Sequence, residues 1–290
     1  MNKEIYYKYF YEQILPNIYP LEIQRKDILK RVFLYSLLMF VCGILSAYVF
    51  ILLAIKNNIT ILLLPVILFL MYVFFLKGIT YAIVKGKEYQ NLLMQKVLPY
   101  FLKPIANFTF WPKNHDIATF LDSKLFRDFE NREDYLSLFG IYKNANITIN
   151  DTELTIPVNK SVFKGIAIQL ELDKSINNHI IMISKNEKKN NPYKQIKSDI
   201  DELNQYMYVF AQNENTQLIT DKFWQAVKRI GETYGAKGFL LSIKNDTVLI
   251  CLRRKRPLKF GFLLKSLIKP QNFDDLINMF LVLFDFIDSI

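Results

Sequence analysis

The sequence predicts an α+β protein: a two-helix transmembrane hairpin followed by a cytoplasmic α+β region with antiparallel sheets. Three observations predict it. Two apolar runs near the start are parted by a short polar tip, Lys56-Asn57-Asn58. The apolar period then drops from helical to two residues near Asn146. Residues 200–290 finally order themselves as strand, amphipathic helix, hairpin and apolar helix.

The apolar runs come first. Between Val32 and Leu76 the only charge is Lys56. A bilayer core about 30 Å thick needs about 20 apolar helical residues. At about 1.5 Å per residue, Val32–Ile55 spans roughly 36 Å and Ile59–Leu76 roughly 27 Å, or more if the second helix runs to Val84. Residues 32–84 therefore read as two antiparallel spans, about 32–55 and 59–84. The preceding segment, 1–31, is aromatic and mixed in charge. A cleaved signal has a short basic start and a brief apolar run, so the hairpin is expected to stay as an anchor.

Charge orients the anchor. Arg25, Lys26, Lys30 and Arg31 precede the first span, and Lys77, Lys85, Lys87 and Lys96 lie in or after the end of the second. Basic flanks face the cytoplasm, which places both termini there and the tip outside. The net charge of +10 divides evenly at residue 85, +5 on each side. Topology and anionic lipid account for the first half, so no nucleic-acid partner is expected.

Beyond the anchor, residues 85–184 read as a helix plus a β-rich part. "GKEYQNLLMQKVLPYFLKPI" is helical by spacing, and "HDIATFLDSKLF" predicts a second short helix. "NITINDTELTIPV" alternates, with Asn150-Asp151 as an expected turn. "FKGIAIQLELDK" sets Ile166, Ile168, Leu170 and Leu172 on one face and Ala167, Gln169, Glu171 and Asp173 on the other, as in a strand wet on one side. "HIIMIS" is a further strand. Residues 185–199, dense in Lys and Asn, form a loop or boundary.

Residues 200–290 form a second α+β part. "YMYVFA" is a strand. "TDKFWQAVKRIGETYG" is a helix capped by Thr220 and ended by Gly235, with Phe223, Val227 and Ile230 on one face. "GFLLSIKNDTVLICL" is a hairpin turning at Asn245-Asp246. "NFDDLINMFLVLFDFIDSI" is a helix with Asn272 as its expected cap. It is too short and too acidic at its end for a third span, and so is a core helix.

Sequence chemistry is sparse. His115 and His179 are the two histidines, and Glu133-Asp134 is a candidate metal or acid–base pair. With a histidine, that pair would suit a hydrolase or transferase; otherwise it belongs to a solvated loop. Cys42 and Cys251 have no zinc-like spacing, so no metal and no cofactor is expected. Gly165 lacks the glycine-rich run of a phosphate loop and reads as a close backbone approach or a bulge. Arg253, Arg254, Lys255 and Arg256 form a basic patch for lipid or a protein partner, or a solvated turn.

The order of two spans, a basic helix, "REDYLSLFG", "FKGIAIQLELDK" and "DELNQYMYVFAQNENTQLITDKF" before a terminal apolar helix resembles a bacterial membrane family. It is catalogued as domain-of-unknown-function family 3137, and some members are labelled galanin. The matching residues are Glu133-Asp134 before Gly140, Phe163-Lys164-Gly165, and Val209 followed by Leu218-Ile219-Thr220. Leu203 and Met207 depart from aromatic positions, and Asp221 from a proline. The resemblance implies a bacterial inner-membrane protein and, as a partner, a LemA-type membrane protein; it implies no reaction. Together these readings favour a non-enzymatic, membrane-anchored protein-interaction module over a membrane-bound hydrolase or transferase.

Overall fold

The computed structural model describes residues 3–55, 63–103, 106–110, 117–126, 128–157, 160–187, 191–213, 217–254 and 265–290. The chain forms two compact units. One is helical, Asn2–Leu98 with Phe260–Asn272; the other carries the sheet, Pro99–Lys259 with Phe273–Ile290.

In the helical unit, α1 (Lys3–Tyr9) passes through a π-helical turn (Phe10–Ile14) into α2 (Leu15–Ile55), which packs along α3 (Leu63–Lys96). The expected tip, Lys56-Asn57-Asn58, lies outside the described residues. The helix foreseen after the anchor is the end of α3 itself, which runs unbroken to Lys96.

The packing seam is narrow. The more covered residues of α3 include Leu64, Ile67, Met71, Phe74, Gly78 and Tyr81, at alternating spacings of three and four. Tyr35, Cys42 and Val49 keep a seven-residue spacing on α2. This is the repeat of two helices held side by side by knobs-into-holes packing. The Tyr35 and Tyr81 rings lie 6.1 Å apart. A Cβ on Gly78 would come within 3.1 Å of Tyr35 Cβ, so the missing side chain lets the helices close there. Away from the seam, Phe33, Leu37, Phe40, Ile44, Phe69 and Ile83 stand exposed.

The sheet unit is antiparallel throughout. Its strands are β1 (Asn107–Phe110), β2 (Asn131–Tyr142), β3 (Ala145–Ile156), β4 (Lys160–Ser184), β5 (Lys194–Ile196), β6 (Met207–Ala211) and β7 (Gly238–Arg253). Short helices α4 (Leu98–Leu102), α5 (Ala118–Asp122) and α6 (Asp201–Tyr206) punctuate them. The longer α7 (Asp221–Thr233) and α8 (Asp274–Ile287) follow β6 and β7 respectively.

One expected turn is displaced. β2 and β3 reverse at Lys143-Asn144, with Lys143 at φ 51°. Asn150 and Asp151 instead lie mid-strand, paired with Ser137 and Leu136 on one side and with Ala167 and Ile166 on the other. Local turn preference is overridden there because ladder partners on both edges claim the backbone.

The expected hairpin at Asn245-Asp246 is present. Asn245 takes φ 56°, and Lys237 N–H donates to Arg253 O at 2.9 Å, closing the hairpin at its base. β4 also folds back. Its residues 165–171 pair with 247–253 of β7, and its residues 179–183 pair with 240–244. β3 takes the other edge of the first arm of β4, and β6 that of the second. The two arms of β7 therefore sit side by side between the two arms of β4. "FKGIAIQLELDK" and "HIIMIS" are these two arms, and residues 172–178 cross over the hairpin tip. The sheet is bounded by short edges, β1 and β5, an arrangement that limits edge-to-edge pairing. Residues 185–199, read from sequence as a loop or boundary, carry β5 and join two strands of this one sheet.

Both faces of the sheet are covered. On one face Phe108, Gly140, Ile147 and Leu170 line up across strands. A Cβ on Gly140 would collide with the Phe108 ring, so glycine lets that ring lie flat on the strand. Phe108 then meets Phe280 and Phe284 of α8, at centroid distances of 5.0 and 6.3 Å. Phe286 meets Phe223 of α7 at 5.6 Å. On the opposite face Phe163, Ala167, Ile181, Leu249 and Cys251 are packed beneath Phe120, Leu125, Phe126 and Phe129. The strand expected to be wet on one side is so at Glu171 and Asp173, but not at Ala167, because this aromatic strap covers it.

The terminal helix is a core helix, as its acidic end predicted. Ile277, Phe280, Leu283, Phe284 and Phe286 are buried. Its cap differs from expectation: Phe273 holds the N-cap position without a side-chain bond, and Asn272 Nδ2 donates to Ser266 O at 2.7 Å. Thr220 caps α7 as expected, its Oγ1 accepting from Phe223 N–H at 3.2 Å.

Candidate functional site

The strapped face of the sheet gathers most of the buried polar groups of the sheet unit. Glu133 and Asp134 fall in β2, not in a loop, and neighbours on a strand point to opposite faces. Asp134 is fully buried and grips Arg132, with Nε–Oδ1 at 3.0 Å and Nη2–Oδ2 at 2.9 Å. The Arg132 guanidinium lies 4.6 Å from the Phe120 ring centre, so this ion pair supports the strap. Glu133 emerges on the other side, opposite Glu153. The Tyr135 hydroxyl donates to Glu153 at 3.0 Å and to Glu133 at 3.4 Å. Burial, with those carboxylates, pushes Tyr135 up to about 12. The Lys164 ammonium, 2.5 Å from Glu153, holds that carboxyl below its ordinary range. Two carboxylates on opposite faces cannot share one proton or one water.

His179 is a buried cross-brace. Its Nε2 lies 3.2 Å from the Ser123 carbonyl oxygen and 2.9 Å from Ser242 Oγ, and its Nδ1 is 2.9 Å from the Tyr193 hydroxyl. The carbonyl requires a proton on Nε2, so Nδ1 accepts from Tyr193. That tautomer leaves Nε2 unable to take a proton from Ser242, and the pair is not an activated nucleophile. Burial, helped by Lys244, depresses the imidazole to about 4, so it is neutral near pH 7. Burial likewise pushes the Cys251 thiol up, away from thiolate chemistry. His115 lies outside the described residues.

Two cavities flank the strap. One, about 270 Å³, lies between α5 and the β7 hairpin tip, lined by Asp122, Ser123, Ser242, Lys244 and Asp246 among others. The second, about 480 Å³, has Phe126, Val162 and Leu240 on its walls and Lys160, Glu187 and Arg253 among its polar groups. Arg253 is committed there: it donates to Glu187 at 2.6 and 3.1 Å and to Val162 O at 3.1 Å. Arg254 belongs to the other face, in the field of Asp151 and Tyr234, and burial lowers its pKa. The described half of the basic run is thus divided between faces; Lys255 and Arg256 lie outside the described residues. Among the described residues no group of three His, Cys, Asp or Glu side chains converges to hold a metal ion.

Gly165 is a close-approach glycine, as its isolation suggested. A Cβ there would collide with Leu252 O and Arg254 N, where β4 and β7 pass. Sequence reasoning missed the strap and its Arg132–Asp134 support. The signal was confined to Arg132 and Asp134, two apart in "REDYLSLFG"; a bulge after Asp134 turns Leu136 to the opposite face.

These features define the class: an antiparallel, two-sided α+β unit joined to a pair of long apolar helices. Residues 161–290 match the model of a family described as Protein of unknown function (DUF3137). The matched region contains Phe163-Lys164-Gly165, Val209 and Leu218-Ile219-Thr220, and stops short of Glu133-Asp134. No curated protein matches the chain. Among solved structures, the crystal structure of the mycobacterial trehalose monomycolate transport factor A, TtfA, is similar at 9% identity, covering 63% of this chain and 88% of that one, with a TM-score of 0.38.

Proposed function

We propose that the protein is anchored in the bacterial inner membrane by the α2–α3 hairpin and presents its α+β unit in the cytoplasm as a protein-interaction module. The observation that carries this reading is the outward apolar surface of the hairpin. Two helices are long and apolar enough to cross a membrane, and their most apolar windows are 11% and 0% buried. A surface of that extent in water would drive aggregation, whereas lipid satisfies it. The basic flanks orient the hairpin with both termini inside. Support for interaction rather than chemistry comes from the candidate residues. Glu133 and Asp134 diverge, and His179 is locked in a donor tautomer toward Ser242.

Cysteine labelling tests the topology. A cysteine at Asn57 is expected to react with an impermeant thiol reagent on intact cells, and one at Asn190 only after lysis. The reverse pattern would overturn the orientation. Release of the whole chain by carbonate washing would overturn the anchor.

A further inference from the structure

The helical unit contains a charged pair where its helical pattern calls for apolar residues. From the end of the π-helical turn into α2 the buried positions are Ile14, Ile18, Leu21, Glu22, Arg25 and Ile28. Glu22 is 1% exposed and Arg25 6%. The two form a forked ion pair, with Arg25 Nε to Glu22 Oε2 at 2.8 Å and Nη2 to Oε1 at 2.7 Å. A buried ion pair contributes little net stability over apolar packing, so its presence calls for another reason.

The rest of the Glu22 carboxylate supplies that reason. Oε2 accepts from the backbone N–H of Leu267 at 2.9 Å, and Oε1 accepts from Ser266 Oγ at 3.0 Å. Both donors belong to the segment that connects the sheet's last hairpin to α8. The segment is tied to itself as well: Asn272 Nδ2 donates to Ser266 O at 2.7 Å, and Ile268 N–H reaches Ser266 Oγ at 3.4 Å. Leu267 is 1% exposed. Arg25 is the counter-charge that keeps the carboxylate ionised and aimed at these donors.

We propose that the Glu22–Arg25 pair is a latch that binds the 265–272 segment to the helical hairpin. It holds the 265–272 segment within the helical unit. Glu22 is a positioning residue: it holds a backbone amide nearly 250 positions later in the sequence, and α8 begins directly beyond the held segment. The latch stands independently of the membrane reading, because it needs only the helical unit.

The test is amide hydrogen exchange on the full-length chain in detergent micelles. Glu22→Ala is expected to speed exchange at Leu267 and its neighbours by at least about tenfold, the effect of losing a charge-assisted acceptor. Glu22→Gln keeps one acceptor oxygen and is expected to show a smaller increase, and Ser266→Ala a smaller one again. Amides of β4 and β7 keep their protection in all three. If Glu22→Ala does not accumulate folded, the Gln and Ser266 variants give the same reading. Unchanged exchange at Leu267 in the Glu22 variants overturns the latch. So does acceleration spread equally through β4 and β7, since that marks general destabilisation. Carbonate resistance of the same variants reports separately on the anchor.

Discussion

The helical hairpin and the sheet unit place apolar residues by opposite rules. In the hairpin, α2 and α3 meet along a seam one heptad face wide, and Phe33, Leu37, Phe40, Ile44, Phe69 and Ile83 stand exposed beside it. In the sheet unit, apolar residues are covered on both faces, by α7 and α8 on one side and by the aromatic strap on the other. The same residue type therefore does different physical work in each. A phenylalanine in the sheet unit is removed from water by its neighbours; one on the hairpin's outer surface depends on the surrounding medium.

The sharpest way to break this comparison is to make one substitution in both regions. Phe280 is 2% exposed and packs on Phe108, so Phe280→Ala is expected to destabilise the sheet unit by about 3–5 kcal/mol. Phe40 is 64% exposed, and Phe40→Ala is expected to leave α2–α3 packing unchanged, within about 0.5 kcal/mol. Chemical denaturation of the full chain in detergent, followed by hydrogen exchange in each unit, measures both. Equal effects would show that the hairpin's outer face is packed against protein.

A smaller effect follows from His179. Its folded pKa, about 4, lies below the ordinary 6.5, so the unfolded chain takes up the proton first as pH falls. Its contribution is therefore complete above pH 6.5 and declines as pH drops from 6.5 toward 4. The full loss is at most about 3 kcal/mol. The slope of sheet-unit stability between pH 6.5 and 5 is expected to flatten in His179→Gln. An unchanged slope would mean that the imidazole is protonated within the fold.

The smallest effect is local. Thr220→Ala removes the acceptor for Phe223 N–H and is expected to lower sheet-unit stability by about 1 kcal/mol, with Thr220→Ser restoring most of it. The hairpin should not respond to either change. A hydrogen-exchange response in α2 or α3 would show that the two units do not unfold independently.

Pattern carried much of the fold. The period of 3.6 in "TDKFWQAVKRIGETYG", the Asn-Asp tip of the last hairpin and the acidic end of α8 each reflect short-range chemistry, and each element stands where that chemistry put it. The Asn150-Asp151 turn was misjudged because a turn former inside a long strand is silenced once both its edges are paired. Glu133-Asp134 looked like one site only while its strand went unrecognised; alternation sends the two carboxylates apart.

By itself, the sequence determined the two long apolar helices, α7, α8 and the β7 hairpin, because those follow from periodicity and run length. Only the tertiary structure decided that β4 folds around the β7 hairpin. It also decided that His179 serves as a brace, through partners at Ser123, Tyr193 and Ser242, and that Glu22 holds Leu267. Those facts depend on contacts between residues tens to hundreds of positions apart, and no local pattern encodes which distant donor a buried carboxylate will meet.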